Sequence, residues 1–151
     1  MPDQNIKPNK FKNYLAIINN SIGTKMFRNF FAEINGKEVD VLENGDKSCA
    51  VHVSSILYLN NLIDAPHATV TTTLKAMRES GWKEINAPRE GCVIHWEKTE
   101  KSDGCEHIGF YVGNEKAISN ASKKGYPKKH HYTYKGARKI IDLYWHSSLD
   151  E

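Results

Sequence analysis

The first third of the chain repeats its apolar residues with the period of an α-helix. One apolar stripe comprises Phe11, Tyr14, Leu15 and Ile18, and the Asn19-Asn20 pair ends it. A second stripe comprises Met26, Phe27, Phe30 and Phe31, before a turn at Asn35-Gly36. We therefore predict two helices, and we expect the Met/Phe stripe of the second to pack into the core.

Two further helices are predicted in the middle of the chain. Ser48 is a suitable N-cap residue, so Cys49 opens a helix with an apolar stripe that extends to Ile63. Pro66 and His67 begin the next helix, which Gly81 closes.

Beyond Gly81 the apolar residues alternate, as they do in strands. Short strands are predicted at 82–85 and 92–96, followed by a hairpin of 108–112 with 117–118 around the turn Gly113-Asn114-Glu115. Tyr132 and Tyr134 with the run 141–145 suggest a last strand pair. Helices followed by an antiparallel sheet indicate an α+β fold, with residues 1–10 frayed and 11–151 forming one domain.

Composition limits the class of protein. The chain has 151 residues, of which 39% are apolar and 26% charged. This apolar content is enough for one core, and the apolar runs along the whole chain exclude a wholly disordered protein. It contains no apolar run long enough to span a bilayer, and its first residues lack the apolar region of a signal peptide. We therefore expect a protein that has no membrane partner, is cytoplasmic as synthesised and is not exported by the general route. We also expect a monomer.

The net charge of +3 is too small to indicate nucleic-acid binding by itself. The segment from Lys116 to Ile141 contains no acidic residue but many lysines, with Tyr126, Tyr132 and Tyr134 among them. A stacking surface for single-stranded nucleic acid is one interpretation of this segment, and a solvated basic loop is the simpler one.

The odd number of cysteines, Cys49, Cys92 and Cys105, argues against a disulfide framework. Cys49 is the best candidate nucleophile, because the unpaired N–H groups and the dipole of a helix start stabilise a thiolate. Lys47 lies close enough in sequence to add to this effect.

A cysteine nucleophile needs a base from another element, and His107 is well placed at the start of a strand. A group on the partner strand should orient its imidazole. A two-residue hairpin turn places Asn120 on the face of His107, whereas a three-residue turn places Ser119 there. We prefer Asn120, whose amide oxygen accepts a hydrogen bond, and we keep Ser119 and His130 as alternatives.

Three segments in order, SCAVHVSSILY, GWKEINAPREGCVIHWE and HIGFYVGNEKAISN, resemble the NlpC/P60 and CHAP superfamily of papain-like cysteine peptidases and amidases. There the cysteine opens a helix, a glycine-led apolar strand follows, and the histidine begins an H-hydrophobic-G-hydrophobic-Y strand. This chain departs from the family where Ser48-Cys49-Ala50-Val51 replaces Asp-Cys-Ser-Gly and where Cys92 replaces an aspartate. Ser119 stands at the position of the family's third polar residue, often histidine.

The resemblance implies an NlpC/P60-type fold with N-terminal helices packed on a central antiparallel sheet. It also implies a thiol hydrolase with Cys49 as nucleophile and His107 as base, and with Asn120 as the orienting residue that we prefer. The expected substrate is a peptidoglycan stem peptide or the sugar-peptide amide, and no cofactor or metal is expected. Residues expected to touch the substrate are Ser119, His130 and Trp96. A bacterial or phage protein of this kind would reach the cell wall by a non-classical or phage route.

Two alternatives remain open. A catalytically silent member of the same fold would serve as a binding module, and a low thiol pKa would distinguish the enzyme from it. A zinc site could use Cys92, His95, Cys105 and His107. Cys92 and His95 are an odd number of residues apart, so on a regular strand they point to opposite faces.

Overall fold

Three α-helices and eight strands make up the described chain, residues 4–102 and 104–151 of a computed structural model. The helices are α1 (Lys10–Asn20), α2 (Cys49–Leu59) and α3 (Val70–Glu79). The strands are β1 (Phe31–Ile34), β2 (Lys37–Asp40), β3 (Trp82–Ile85), β4 (Val93–Trp96), β5 (His107–Gly113), β6 (Lys116–Ala121), β7 (Tyr126–His131) and β8 (Ile140–His146). Over these two ranges, none of the helices is both long and apolar enough to cross a bilayer.

Six of these strands form one antiparallel sheet in the order β3-β8-β4-β5-β6-β7, and β1 pairs with β2 separately. Helix α2 packs on β5 and β6, and α1 packs on α2 and β5. The core between helices and sheet includes Tyr14, Val53, Ile56, Leu57, Ile94, Ile108, Phe110 and Ile118. The expected α+β fold, with helices packed on a central antiparallel sheet, is confirmed.

Side-chain hydrogen bonds at the N-cap fix the first residues of α1 and α3. The side chain of Asn9 accepts a hydrogen bond from the backbone N–H of Lys12 and begins α1. Helix α3 begins later than its predicted start at Pro66, because the Thr69 side chain accepts from the N–H of Thr72 and fixes the first turn there. Helix α2 begins at Cys49 as predicted.

The predicted second helix is wrong. Residues 26–28 form a turn and a bend, residues 29–30 lead irregularly into β1, and Met26 and Phe31 are 76% and 63% exposed. The Asp40 carboxylate accepts hydrogen bonds from the N–H groups of Phe30, Leu42 and Asn44, which fixes this loop. These bonds, that of Phe30 first, lower the pKa of Asp40 to about 2. The Met/Phe stripe therefore contributes little to the core, apart from a partly buried Phe27.

The predicted last strand pair is also wrong. Strand β7 ends at His131, before Tyr132 and Tyr134, and pairs with β6. Strand β8 pairs instead with β3 and β4. Leu143, Tyr144 and Trp145 are consecutive buried residues, so both faces of the sheet are covered at this point of β8.

Candidate active site

A cleft of about 660 Å³ opens where the start of α2 meets the start of β5. Cys49 and His107 both line it, together with Asn120 from β6 and Tyr134 and Arg138 from the loop before β8. The fold thus brings the two residues predicted to react, 58 positions apart in sequence, to one cavity.

The Cys49 thiol is half-buried at the first turn of α2. Burial raises its pKa to about 11, although the N–H groups of Ile108 and Ala50 and the charge of Arg138 act to lower it. The expectation of a stabilised thiolate is therefore wrong for the resting protein. Lys47 is ion-paired with Glu43 at 2.8 Å, so its charge is partly neutralised.

Ser48 occupies the N-cap position of α2 but makes no capping hydrogen bond with its side chain. Its backbone has φ −90° and ψ 3°, instead of the extended conformation from which a serine hydroxyl reaches the first turn. The hydroxyl is buried without a partner in the described part of the chain. The first N–H groups of α2 consequently receive no cap from this side chain.

His107 is 7% exposed, and Trp96 stacks on its ring with centroids 5.2 Å apart. Burial lowers the pKa of His107 well below its ordinary value, and the charge of Arg138 acts in the same direction. The imidazole is therefore neutral near pH 7. As far as the described residues show, no hydrogen bond joins the Cys49 sulfur to this ring in the resting state.

Ser119, and not the preferred Asn120, contacts the imidazole: its Oγ lies 2.9 Å from His107 Nε2. The turn does have two residues, Asn114 and Glu115, both with positive φ. However, Tyr111 pairs with Ala117 and Gly113 with Lys116, so Val112 is an extra residue that shifts the register by one. This bulge places Ser119 on the face that a regular hairpin would give to Asn120.

Asn120 has a different partner. Its Nδ2 donates to the carbonyl oxygen of Gly45 over 2.8 Å, which ties β6 to the loop before Cys49. Asn120 therefore lines the cleft as a support of that loop, and its predicted role as the orienting residue is not matched by a contact with His107.

The Ser119 hydroxyl continues into a network behind His107. Its Oγ lies 2.7 Å from His130 Nε2 and 3.2 Å from Tyr134 Oη. The rings of His130 and Tyr134 stack with centroids 4.2 Å apart. Sequence reasoning named His130 as an alternative partner but missed Tyr134, which lies in a loop with positive φ that no pattern revealed.

Trp96 and Ser119 were expected to touch the substrate, but they are 0% and 1% exposed. Trp96 lies behind His107 and donates from its Nε1 to the Tyr132 carbonyl oxygen over 2.8 Å. Neither residue lines the cleft, nor does His130, so their position suits support of His107 instead of substrate contact.

Arg138 is a functional candidate that sequence reasoning treated only as part of a basic segment. Its Nε donates to the Glu97 carbonyl oxygen at 2.8 Å and its Nη2 to that of Cys105 at 3.1 Å. It makes no ion pair with any acid of the described ranges, and its half-buried guanidinium faces the cleft. Lys98 and Lys101 line the same cavity.

Of the remaining candidates, Cys92, His95 and His52 lie outside the cleft, whereas Cys105 lines it. His95 Nδ1 is 3.2 Å from Asp142 Oδ2, and the described part of the chain contains no group of three or more side chains suited to a metal ion. No disulfide joins Cys49, Cys92 and Cys105. His52 is in the core, against the rings of Phe27 and Phe110, and does not approach the cleft as a base.

Comparison with solved structures identifies this architecture. NlpC2 and NlpC1 from Trichomonas vaginalis superpose with TM-scores of 0.53 and 0.54, at 15% and 17% sequence identity. Each alignment covers 93% of this chain but only 48% and 45% of those proteins, so the chain spans slightly less than half their length. No protein-family model and no curated protein matches the sequence. The chain therefore has an NlpC/P60-like fold, as its three ordered motifs implied.

Proposed function

We propose that the protein is a thiol hydrolase that cleaves an amide bond, with Cys49 as nucleophile and His107 as general base. The observation that carries this proposal is the arrangement around His107. Ser119 engages Nε2 of His107, so Nδ1 is the ring nitrogen that is left to accept a proton. The His107 side chain lines the same cleft as Cys49, from which that proton would come. A histidine that is buried only for structural reasons would not be expected to share a cleft with a thiol.

The proposed reaction begins when Cys49 Sγ attacks the amide carbonyl carbon. As the C–S bond forms, the thiol becomes acidic and its proton passes to His107 Nδ1. The carbonyl oxygen becomes an oxyanion at the start of α2, where the backbone N–H of Cys49 donates to it. The histidine then protonates the amine nitrogen, the C–N bond breaks and a thioester remains. Water attacks the thioester after losing a proton to His107, which releases a carboxylic acid and restores the thiol.

The proton chemistry of the resting pair favours general-base catalysis over a preformed ion pair. The thiol pKa is about 11 and the pKa of His107 is lowered, so both groups are neutral near pH 7. The proton must therefore move during the attack, as in hydrolases with a serine nucleophile.

A peptidoglycan stem peptide, or the amide between sugar and peptide, is the proposed substrate. The volume of the cleft suits a short peptide segment. Arg138, Lys98, Lys101 and Lys47 line it against two described acids, Asp46 and Glu106, and this surplus of positive charge suits a substrate that carries carboxylates. Two hydrogen bonds from Arg138 to backbone carbonyl oxygens hold its guanidinium at the cleft, where its charge would attract such a carboxylate.

The test is incubation of purified peptidoglycan with the full chain, with new amino groups and released fragments measured by mass spectrometry. Cys49→Ala should reduce the release at least about 10³-fold. Cys92→Ala is the matched control, since this cysteine is also buried with a pKa of about 11 but lies outside the cleft. Release that survives Cys49→Ala would contradict the proposal.

A catalytically silent binding module is the second candidate. A low thiol pKa is expected of the enzyme, so the raised pKa of Cys49 favours the silent module. The same incubation separates them if bound protein is measured by co-sedimentation with peptidoglycan. The silent module would bind without releasing fragments, and Cys49→Ala would leave its binding unchanged.

A further inference from the structure

A chain of polar contacts continues behind His107, away from the cleft. It passes from His107 Nε2 through Ser119 Oγ to His130 Nε2, over 2.9 and 2.7 Å. Ser119 and His130 do not line the cavity, so they do not meet a substrate there. Ser119 instead contacts the imidazole of His107 from behind, at Nε2.

A backbone carbonyl sets the donor and acceptor roles along these polar contacts. His130 Nδ1 lies 2.8 Å from the carbonyl oxygen of His131, and a carbonyl oxygen only accepts. Nδ1 of His130 therefore carries the hydrogen. Burial lowers the pKa of His130, so the ring is neutral near pH 7 and its Nε2 is an acceptor.

The serine has one hydrogen to donate. Since His130 Nε2 is an acceptor, the Ser119 hydroxyl donates to it, and the same oxygen then accepts from its other neighbours. These neighbours are His107 Nε2 at 2.9 Å and Tyr134 Oη at 3.2 Å. His107 consequently holds its hydrogen on Nε2 and keeps a lone pair on Nδ1.

We propose that His130 is a positioning residue that sets the tautomer of His107 through the Ser119 hydroxyl. The inference rests on the proposed function, because the tautomer matters only if Nδ1 receives the thiol proton. With the opposite tautomer, Nδ1 of His107 would carry a hydrogen and a neutral ring could not act as the base. The chain thus uses a serine and a second histidine together to orient the imidazole.

Packing holds these atoms in place. Tyr134 stacks on His130 with an interplanar angle of 17°, and Trp96 stacks on His107 with an angle of 29°. In the sheet, Ser119 pairs with Lys128 and Ala117 with His130, so the serine and the histidine are diagonal neighbours on adjacent strands.

The tautomers are measured directly by ¹⁵N NMR of the histidine rings at pH 7, which requires no substrate. Wild-type protein should show hydrogen on Nε2 of His107 and on Nδ1 of His130. In His130→Phe the stacking surface remains but the acceptor is lost, so Ser119 is free to donate to His107 and the ring should shift toward the Nδ1–H form. His130→Gln supplies an oxygen acceptor and should restore the Nε2–H form. An Nδ1–H form of His107 in wild type, or an unchanged His107 signal in His130→Phe, would overturn the inference.

Kinetics provide the second measurement. His130→Phe and Ser119→Ala should lower kcat roughly 10- to 100-fold with little change in KM. Losses of this size follow when a group that hydrogen-bonds to a metal-ligating histidine is removed. His131→Phe is the matched control, because that side chain bonds Thr133 and not Ser119. Thermal unfolding of each variant distinguishes lost folding from lost positioning. If the tautomers are as stated but no variant or wild type hydrolyses an amide, the proposed function fails while the proton arrangement stands.

Discussion

Two buried histidines in this protein make nearly the same contact with a serine. His107 Nε2 lies 2.9 Å from Ser119 Oγ, and His52 Nε2 lies 2.9 Å from Ser21 Oγ. The rings differ in what surrounds their other nitrogen. His107 borders the cleft that holds Cys49, whereas Nδ1 of His52 is buried without a partner in the described chain, beside Phe27 and Phe110.

The two serines also pass their hydrogen to different groups. Ser21 Oγ donates to the Ile18 carbonyl oxygen over 2.7 Å, so its chain of hydrogen bonds ends within the same helical turn. We infer that Ser119 donates to a second histidine. A histidine-serine pair is therefore not a site by itself. Access to a cleft and a nearby thiol give the His107 pair its proposed chemistry, while the His52 pair serves the core.

Replacing the two histidines should separate these roles most clearly. His107→Gln should lower amide hydrolysis by about 10²–10⁴-fold, because it removes the general base. His52→Gln should change the rate of the folded protein by less than about threefold, since the residue lies outside the cleft. Equal losses of activity in both variants, measured at a temperature where both are folded, would remove the distinction.

Replacing His52 should instead affect the stability of the fold. His52→Ala should reduce the free energy of unfolding by about 2–4 kcal/mol, because it opens a cavity beside two aromatic rings. Urea denaturation measures this effect. His67→Ala is the control, as its ring pairs with an exposed Asp64, and should cost less than about 1 kcal/mol. A His52→Ala effect no larger than that of the control would show that the core does not depend on this ring.

The acid stability of the protein should reflect His52. Burial lowers the pKa of His52 to about 3, below the value of about 6.5 in an unfolded chain. Between these values the unfolded state binds more protons, so this contribution is complete above about pH 6.5 and is lost as the pH falls toward 3. The slope for one such group is up to about 1.4 kcal/mol per pH unit. His107, whose pKa is also lowered, adds in the same direction. His52→Gln should flatten the stability curve between pH 6 and 4, and an unchanged slope would refute the assignment.

The smallest expected effect concerns the neighbour of Ser119. Asn120→Ala removes the hydrogen bond to the Gly45 carbonyl and should cost about 1 kcal/mol of stability. Its kcat should fall less than that of Ser119→Ala, because Asn120 does not contact the imidazole. A larger loss of kcat in Asn120→Ala would restore Asn120 as the orienting residue.

Local patterns predicted much of the fold. The period of the apolar residues identified α1 and strands β3 to β6. The position of Ser48 correctly indicated the start of α2, although its side chain makes no cap. The ordered motifs correctly paired Cys49 with His107 as residues of one cavity. The errors arose where distant groups decide the structure. The loop around Phe30 follows the Asp40 carboxylate, and Ser119 replaces Asn120 because of one bulged residue, Val112. The raised thiol pKa likewise depends on burial, which no local pattern shows.

The most direct test of the central claim is the rate at which Cys49 is alkylated by iodoacetamide near pH 7, followed by mass spectrometry of the labelled peptide. Free glutathione added to the same sample provides the reference rate, because Cys105 lines the same cleft as Cys49. If His107 takes the thiol proton as the sulfur attacks, His107→Gln should slow labelling of Cys49 at least about tenfold and leave that of glutathione unchanged. Equal labelling of Cys49 in wild type and His107→Gln would contradict the proposed pair.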